Sequence, residues 1–249
     1  VRVSLLDGQG PILFVHAHPD DETISTGALI AECVARGREV YLLTCSRGER
    51  GEVVPGPLTA LAGSGKLARE RERELARATR ILGVTDRFWL GDPPARVQGL
   101  APRRYRDSGM VWIRPGLAGP APDAAEDALS AAALIEVTKD IVALLAVLRP
   151  TLVISYDDGG GYGHPDHVRA HEAALAASEA TRTPFAEVLE KPVRGAEWFD
   201  LPQHLGLVTD ALRAHASQLT VHGTDIVHSG GQREAISTSV GLRLHPSAR

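Results

Sequence analysis

Cysteine is scarce in this chain: of 249 residues only Cys33 and Cys45 carry a thiol. Two thiols at that separation supply neither a disulfide framework nor the close pair of a thiolate zinc site. Cys45 ends a predicted strand and Cys33 lies in a predicted helix, so both read as small core residues rather than nucleophiles. Long apolar runs are also missing, and nothing approaches the roughly 20 residues of a membrane-spanning helix. The opening residues lack the apolar core and cleavage site of a signal peptide, which makes the cytoplasm the expected location. There is no excess of positive charge, since 27 Lys and Arg against 31 Asp and Glu leave a net charge of −4. That balance argues against a nucleic-acid partner and against an anionic membrane. No internal repeat or linker divides the chain. A hydrophobic fraction of 43% and a charged fraction of 23% are ordinary for a globular protein. The expectation is one α/β domain over residues 1–249.

What is present is concentrated at residues 12–22. Ile12 to Val15 is a short apolar run with β-branched and aromatic members, hence a buried strand. It runs into His16, His18, Asp20, Asp21 and Glu22, five ionisable groups within seven residues. Such a cluster is a poor end for a core strand. It suits a metal site at the carboxyl edge of a parallel sheet, where open α/β folds bind ligands. His18 and Asp21 can bind a cation while Asp20 stays free beside it. A helix capped by Thr23 or Ser25 is predicted to run to about Ala35 and stop at Arg36-Gly37. Glu39 to Cys45 is a second strand, which completes a βαβ unit and makes the pairing parallel. The glycine-rich loop 46–56 leaves the same sheet edge and carries Glu49 and Glu52. Gly63-Ser64-Gly65-Lys66 mimics a phosphate loop but fails its spacing, because Ala60 and Leu67 stand where Gly and Ser or Thr are required.

Residues 67–82 are predicted helical, with a charge run that is mostly solvated, and 87–90 form a third strand. Residues 91–122 hold six prolines and five glycines; a loop this long is read as a substrate-facing flap. A long helix is predicted over 124–148 and a fourth core strand over 152–156. That strand also ends in charge, at Asp157 to His167, where three glycines free the backbone. Pro165 suits the first turn of a helix running to about Ala180. His164, His167 and His171 then fall at spacings that place imidazoles on one helix face without deciding which of them bind. Residues 207–219 are read as a short helix, 184–203 as a packed loop, and little is assigned beyond Val221. His204, His215, His222, His228 and His245 are isolated and read as surface or hydrogen-bonded histidines.

Two strands therefore end in sister motifs, His18-Pro19-Asp20-Asp21 and His164-Pro165-Asp166-His167. Together they make one mononuclear site of imidazole and carboxylate ligands, suited to zinc, with iron(II) as a competitor. At these residues the chain resembles the PIG-L/LmbE-like N-acetylglucosaminyl deacetylases, over most of residues 11–180. The resemblance implies a Rossmann-like domain with a mostly parallel sheet flanked by helices and the active site at the carboxyl ends of its strands. It implies that His18, Asp21 and His167 hold the metal and that Asp20 is the general base. It implies that His164 stabilises the oxyanion and assists the leaving amine, that Asp166 orients His164, and that Tyr162 closes on the reacting carbonyl. Within the family the chain is most similar to the mycothiol-pathway branch, through Gly48-Glu49-Arg50-Gly51-Glu52-Val53, Tyr105-Arg106-Asp107-Ser108-Gly109-Met110 and Gly160-Gly161-Tyr162-Gly163-His164. That branch removes acetate from the small amino sugar 1-O-(2-acetamido-2-deoxy-α-D-glucopyranosyl)-1D-myo-inositol. By similarity Glu52, Arg71 and Asp107 would hold sugar and inositol hydroxyls. The related S-conjugate amidases usually carry Pro at the position of Gly163. Residues 181–249 match only patchily, chiefly at Ala214-His215-Ala216-Ser217-Gln218, and are expected to complete the substrate cap.

Overall fold

The computed structural model describes residues 4–247. The apolar run at the start becomes strand β1, Ile12–His16, buried throughout. Helix α1 follows at Asp21–Ala35, strand β2 at Val40–Thr44, helix α2 at Leu67–Leu82 and strand β3 at Asp86–Trp89. Next come strands β4, Met110–Arg114, and β5, Leu117–Pro120, then helix α3 at Leu134–Leu148 and strand β6 at Leu152–Ser155. The short turn of helix α4, Gly160–Gly163, leads into α5, Pro165–Thr181. Strands β7, Phe185–Leu189, and β8, Glu197–Asp200, precede helix α6 at Leu205–Ala214. The remaining strands are β9 at Leu219–His222, β10 at Asp225–His228, β11 at Arg233–Ala235 and β12 at Ser239–Leu244.

One seven-stranded sheet runs β3-β2-β1-β6-β7-β12-β8. The first five strands are mutually parallel, with Ile12 opposite both Val40 and Leu152. β12 is antiparallel to both neighbours. Residues alternate across β1: Ile12 and Phe14 pack with the cores of α1, α2 and α6, whereas Leu13 and Val15 pack with those of α3 and α5. Both faces are therefore covered, as expected for a parallel sheet. The chain winds outward from β1 to β3 on one side and from β6 to β7 on the other. This makes the β1/β6 boundary the switch point, where side chains leaving the strand ends face a crevice.

Several expectations need correction. α1 begins at Asp21, not after Thr23 or Ser25, and Asp20 occupies the N-cap position without a side-chain cap. The predicted helix over 124–148 starts only at Leu134. Its first residues instead pair with the segment before β4: Arg106 N–H donates to Asp127 O at 3.1 Å and Leu129 N–H to Arg106 O at 2.8 Å. Backbone groups satisfied in this way have no need of a helix. The flap over 91–122 contains the β4–β5 hairpin, and the residues read as a packed loop supply β7 and β8. α2 ends as expected, with Gly83 in the left-handed conformation (φ 80°).

Candidate active site

The turn after β1 and the segment after β6 meet at the switch point. His18 lies at the centre. Its Nδ1 is 3.3 Å from Asp21 Oδ2, and its Nε2 is 3.1 Å from Asp166 Oδ2 and 3.7 Å from Asp107 Oδ1. Burial alone would depress the His18 pKa, but Asp107, Asp166 and Asp21 outweigh it and hold it well above the ordinary value. Three carboxylates that favour a proton here favour a metal cation for the same reason.

His167 enters from the first turn of α5. Its Nδ1 faces Gly160 O at 3.2 Å, an arrangement that places the ring proton on Nδ1. Nε2 is then a lone-pair donor 3.3 Å from Asp21 Oδ2, buried and without any hydrogen-bond partner. A buried unpaired nitrogen is costly, and a cation between it, Asp21 and His18 would satisfy it. The donors present thus fit a divalent ion. Donor atoms of His18, His164 and His167 also lie within 4.8 Å of one another, as do those of His18, Asp107 and Asp166. His171, whose spacing left it open as a further imidazole, faces the other way and bonds Tyr156 O at 2.8 Å.

Asp20 stands beside this cluster at φ 113°, a left-handed conformation strained for any residue with a Cβ. Desolvation, reinforced by the Asp21 charge, lifts its carboxyl to about 7. His164 is the N-cap of α5, and its Nδ1 accepts from Asp166 N–H at 3.1 Å. The proton therefore resides on Nε2. Burial above all lowers its pKa to about 3, so His164 is a neutral donor. Asp166 meets His164 through its backbone N–H, while its carboxylate accepts from His18, from Ser108 N–H at 2.9 Å and from Ser108 Oγ and so braces His18. Tyr162, half-buried, has its ring 5.1 Å from His167 and 5.6 Å from Trp112 of the hairpin.

The expected substrate contacts are differently placed. Asp107 is buried and faces His18, with its carboxylate accepting from Gly109 N–H at 2.8 Å and Arg50 N–H at 3.1 Å. Arg71 is buried too, but its terminal nitrogens bond Gly48 O and Glu52 O and so brace the 46–56 loop. Only its Nε is unpartnered. Glu52 is exposed, and Ser229 Oγ donates to its Oε2 at 3.1 Å.

Tyr156 and Ser108 escaped the sequence reading, while His215 is hydrogen-bonded as expected but with a partner the sequence does not name. Tyr156 donates its hydroxyl to Asp21 Oδ2 at 2.7 Å, accepts from Ala17 N–H at 2.8 Å and stacks on His167 at 4.2 Å. Ser108 anchors Asp166. His215, buried, bonds Glu22 Oε1 at 2.9 Å. Tyr156 reads as a core aromatic at a strand end, and His215 meets its partner 193 positions away, so local pattern marks neither.

Comparison with known proteins matches residues 13–178 to the family of GlcNAc-PI de-N-acetylases, PIG-L. The 1D-myo-inositol 2-acetamido-2-deoxy-alpha-D-glucopyranoside deacetylase of Kineococcus radiotolerans is 44% identical over 213 residues, which are 84% of this chain and 56% of that protein. The protein of the same name from Actinosynnema mirum is 36% identical over 95% of this chain and 89% of its own length. The chain spans little more than half the length of several such relatives. Among solved structures, the N,N'-diacetylchitobiose deacetylase from Pyrococcus horikoshii is 22% identical with a TM-score of 0.59, covering 82% of this chain and 69% of its own. That likeness concerns the fold. The matched stretch takes in both sister motifs and the strands that carry them, and on that ground the chain belongs to the PIG-L family.

Proposed function

We propose that the protein is a metal-dependent amidohydrolase that removes the N-acetyl group of 1-O-(2-acetamido-2-deoxy-α-D-glucopyranosyl)-1D-myo-inositol, releasing acetate and the free amine. The observation that carries the chemistry is the convergence of His18, Asp21 and the unpaired Nε2 of His167, with Asp20 held apart beside them. The relatives that share 36–44% identity carry the choice of substrate, through the deacetylase name they bear.

In this reading His18, Asp21 and His167 would hold zinc, with iron(II) as the competing ion; such an ion would supply Lewis-acid polarisation of the carbonyl and acidify the attacking water. Asp20 takes a proton from the attacking water and returns it later in the reaction. The Nε2–H of neutral His164 donates to the oxygen on which negative charge develops, and then supports proton delivery to the departing nitrogen. The proton taken by Asp20 reaches the nitrogen as the carbon–nitrogen bond breaks, the amine leaves neutral, and acetic acid, which ionises in solution, carries the oxygen of the water. Tyr162, on the glycine-rich turn, adds a hydroxyl near the same carbonyl. Asp107, Glu52 and Arg71 would meet sugar and inositol hydroxyls, and Arg71 also braces the loop that carries Glu52.

The test of this assignment is Asp20→Ala. Loss of a general base removes about 10²–10⁴ in rate, and zinc content should stay near one per chain. A variant that bound zinc and hydrolysed the substrate at nearly the parent rate would remove Asp20 from the mechanism.

A further inference from the structure

The backbone of Asp20 is strained, at φ 113° and ψ −33°. Its N–H donates to Glu22 Oε2 at 2.9 Å. Its carbonyl accepts from Thr23 N–H and Ile24 N–H at 3.0 and 2.9 Å. The carbonyl bonds are the usual first bonds of a helix and exist for any N-cap. The bond to Glu22 is the one that selects this conformation, because it fixes where the Asp20 N–H points. Its strength depends on how firmly the Glu22 carboxylate is held.

Glu22 is fully buried, and its other oxygen is gripped by Thr23 Oγ1 and by His215 Nε2, the latter at 2.9 Å. His215 stands on the turn that follows α6, beyond the stretch matched to the family. The turn is itself locked. Gln218 N–H and Leu219 N–H donate to His215 O at 3.0 and 3.2 Å. Ser217 donates to the buried carboxylate of Glu74 on α2 through both N–H and Oγ, at 2.6 and 2.7 Å. Gln218 Nε2 lies 3.3 Å from His215 Nδ1, an approach that leaves the proton on Nε2, facing Glu22. A continuous path therefore runs from Glu74 through the turn to His215, Glu22 and the backbone of Asp20.

We propose that His215 is a positioning residue for Asp20: by fixing the Glu22 carboxylate it holds the strained Asp20 backbone and so aims the Asp20 side chain at the reacting water. The proposal rests on Asp20 acting as the base. It assigns the C-terminal part of the chain a share in catalysis that needs no contact with substrate. It also explains why a bulky imidazole is buried beside a carboxylate, where an apolar pair would pack without charge.

The experiment compares His215→Ala with His215→Gln, whose amide can still donate to Glu22, in the zinc-loaded full chain. A misaimed catalytic group costs up to about 10²-fold in rate. His215→Ala should therefore lower kcat by about 10–100-fold, with KM and the zinc dissociation constant close to the parent values. His215→Gln should recover most of that loss. Crystal structures should show Asp20 leaving the positive-φ region in the alanine variant and keeping it in the glutamine variant. Parent kcat in the alanine variant, or equal loss in both variants, overturns the proposal, as does zinc affinity falling in step with kcat. If His215→Ala does not fold, His215→Gln decides alone: retained φ and near-parent kcat support the proposal, and retained φ with kcat lost overturns it. If the parent protein releases no acetate from any N-acetylglucosaminide, the deacetylase reading fails. The clamp is then judged by the Asp20 φ in the two variants.

Discussion

Tyr156 shows how much of a metal site lies behind its expected ligands. Its hydroxyl holds Asp21, and its ring lies parallel to His167 at an interplanar angle of 9°. One side chain thus orients two of the three groups proposed to take the ion. Tyr156→Phe keeps the ring and loses only the hydroxyl. Removing such an outer partner typically costs about 10–100-fold in metal affinity, and chelator competition should show a loss of that size with little change in Tm. Unchanged affinity would mean that Asp21 is held well enough by His18 N–H, which donates to the same oxygen at 2.8 Å. The two thiols permit a second check at this scale. Burial pushes Cys33 up to about 12 and raises Cys45 further. Thiolate is then negligible at pH 8, so a disulfide reagent should find no reactive thiol in the native protein and two after denaturation. Rapid native labelling would contradict their place in the core. The residue types of the site were legible in the sequence because two dense motifs end two apolar runs. The roles of Tyr156, Ser108 and His215 were not, because each depends on a partner brought close only by the fold.

Among the elements, β1, α1, β2 and α2 follow from short-range signals: an apolar run, a helical stripe, a glycine stop. β8 escaped because it has only four residues, and β12 because it lies in a stretch rich in Gly, Ser and Thr with no continuous apolar run. The helix expected over 124–133 failed for a different reason, since its alanines favour helix but its backbone is claimed by Arg106. The β4–β5 hairpin is the element whose composition most misleads. Prolines and glycines suggest an open loop, yet the hairpin packs on the turn that carries Tyr162. Gly163 mediates that contact: at φ 89°, a Cβ there would lie 3.0 Å from Ala118 O and from Leu117 Cδ1. Gly163→Ala combines a disfavoured backbone with a clash at the hairpin. It should cost about 1–3 kcal/mol in urea unfolding and should lower kcat/KM as Tyr162 shifts. A variant as stable and active as the parent would show that hairpin and turn move independently.

At the level of the whole molecule, the sheet order places the two sister motifs on adjacent strands, β1 and β6, at the switch point of the sheet. From beyond residue 181, His215 reaches Glu22 beside Asp20, and Ser229 bonds Glu52. Among the described residues no helix is long and apolar enough to cross a membrane. The most direct test of the account is acetate release by the zinc-loaded protein from N-acetylglucosaminyl-inositol, with free N-acetylglucosamine and a mycothiol S-conjugate measured in parallel. The expected result is a strong preference in kcat/KM for the inositol glycoside, with turnover lowered by about 10²–10⁴-fold in Asp20→Ala. Faster cleavage of the S-conjugate, or no amide hydrolysis of any of the three with zinc bound, would contradict it.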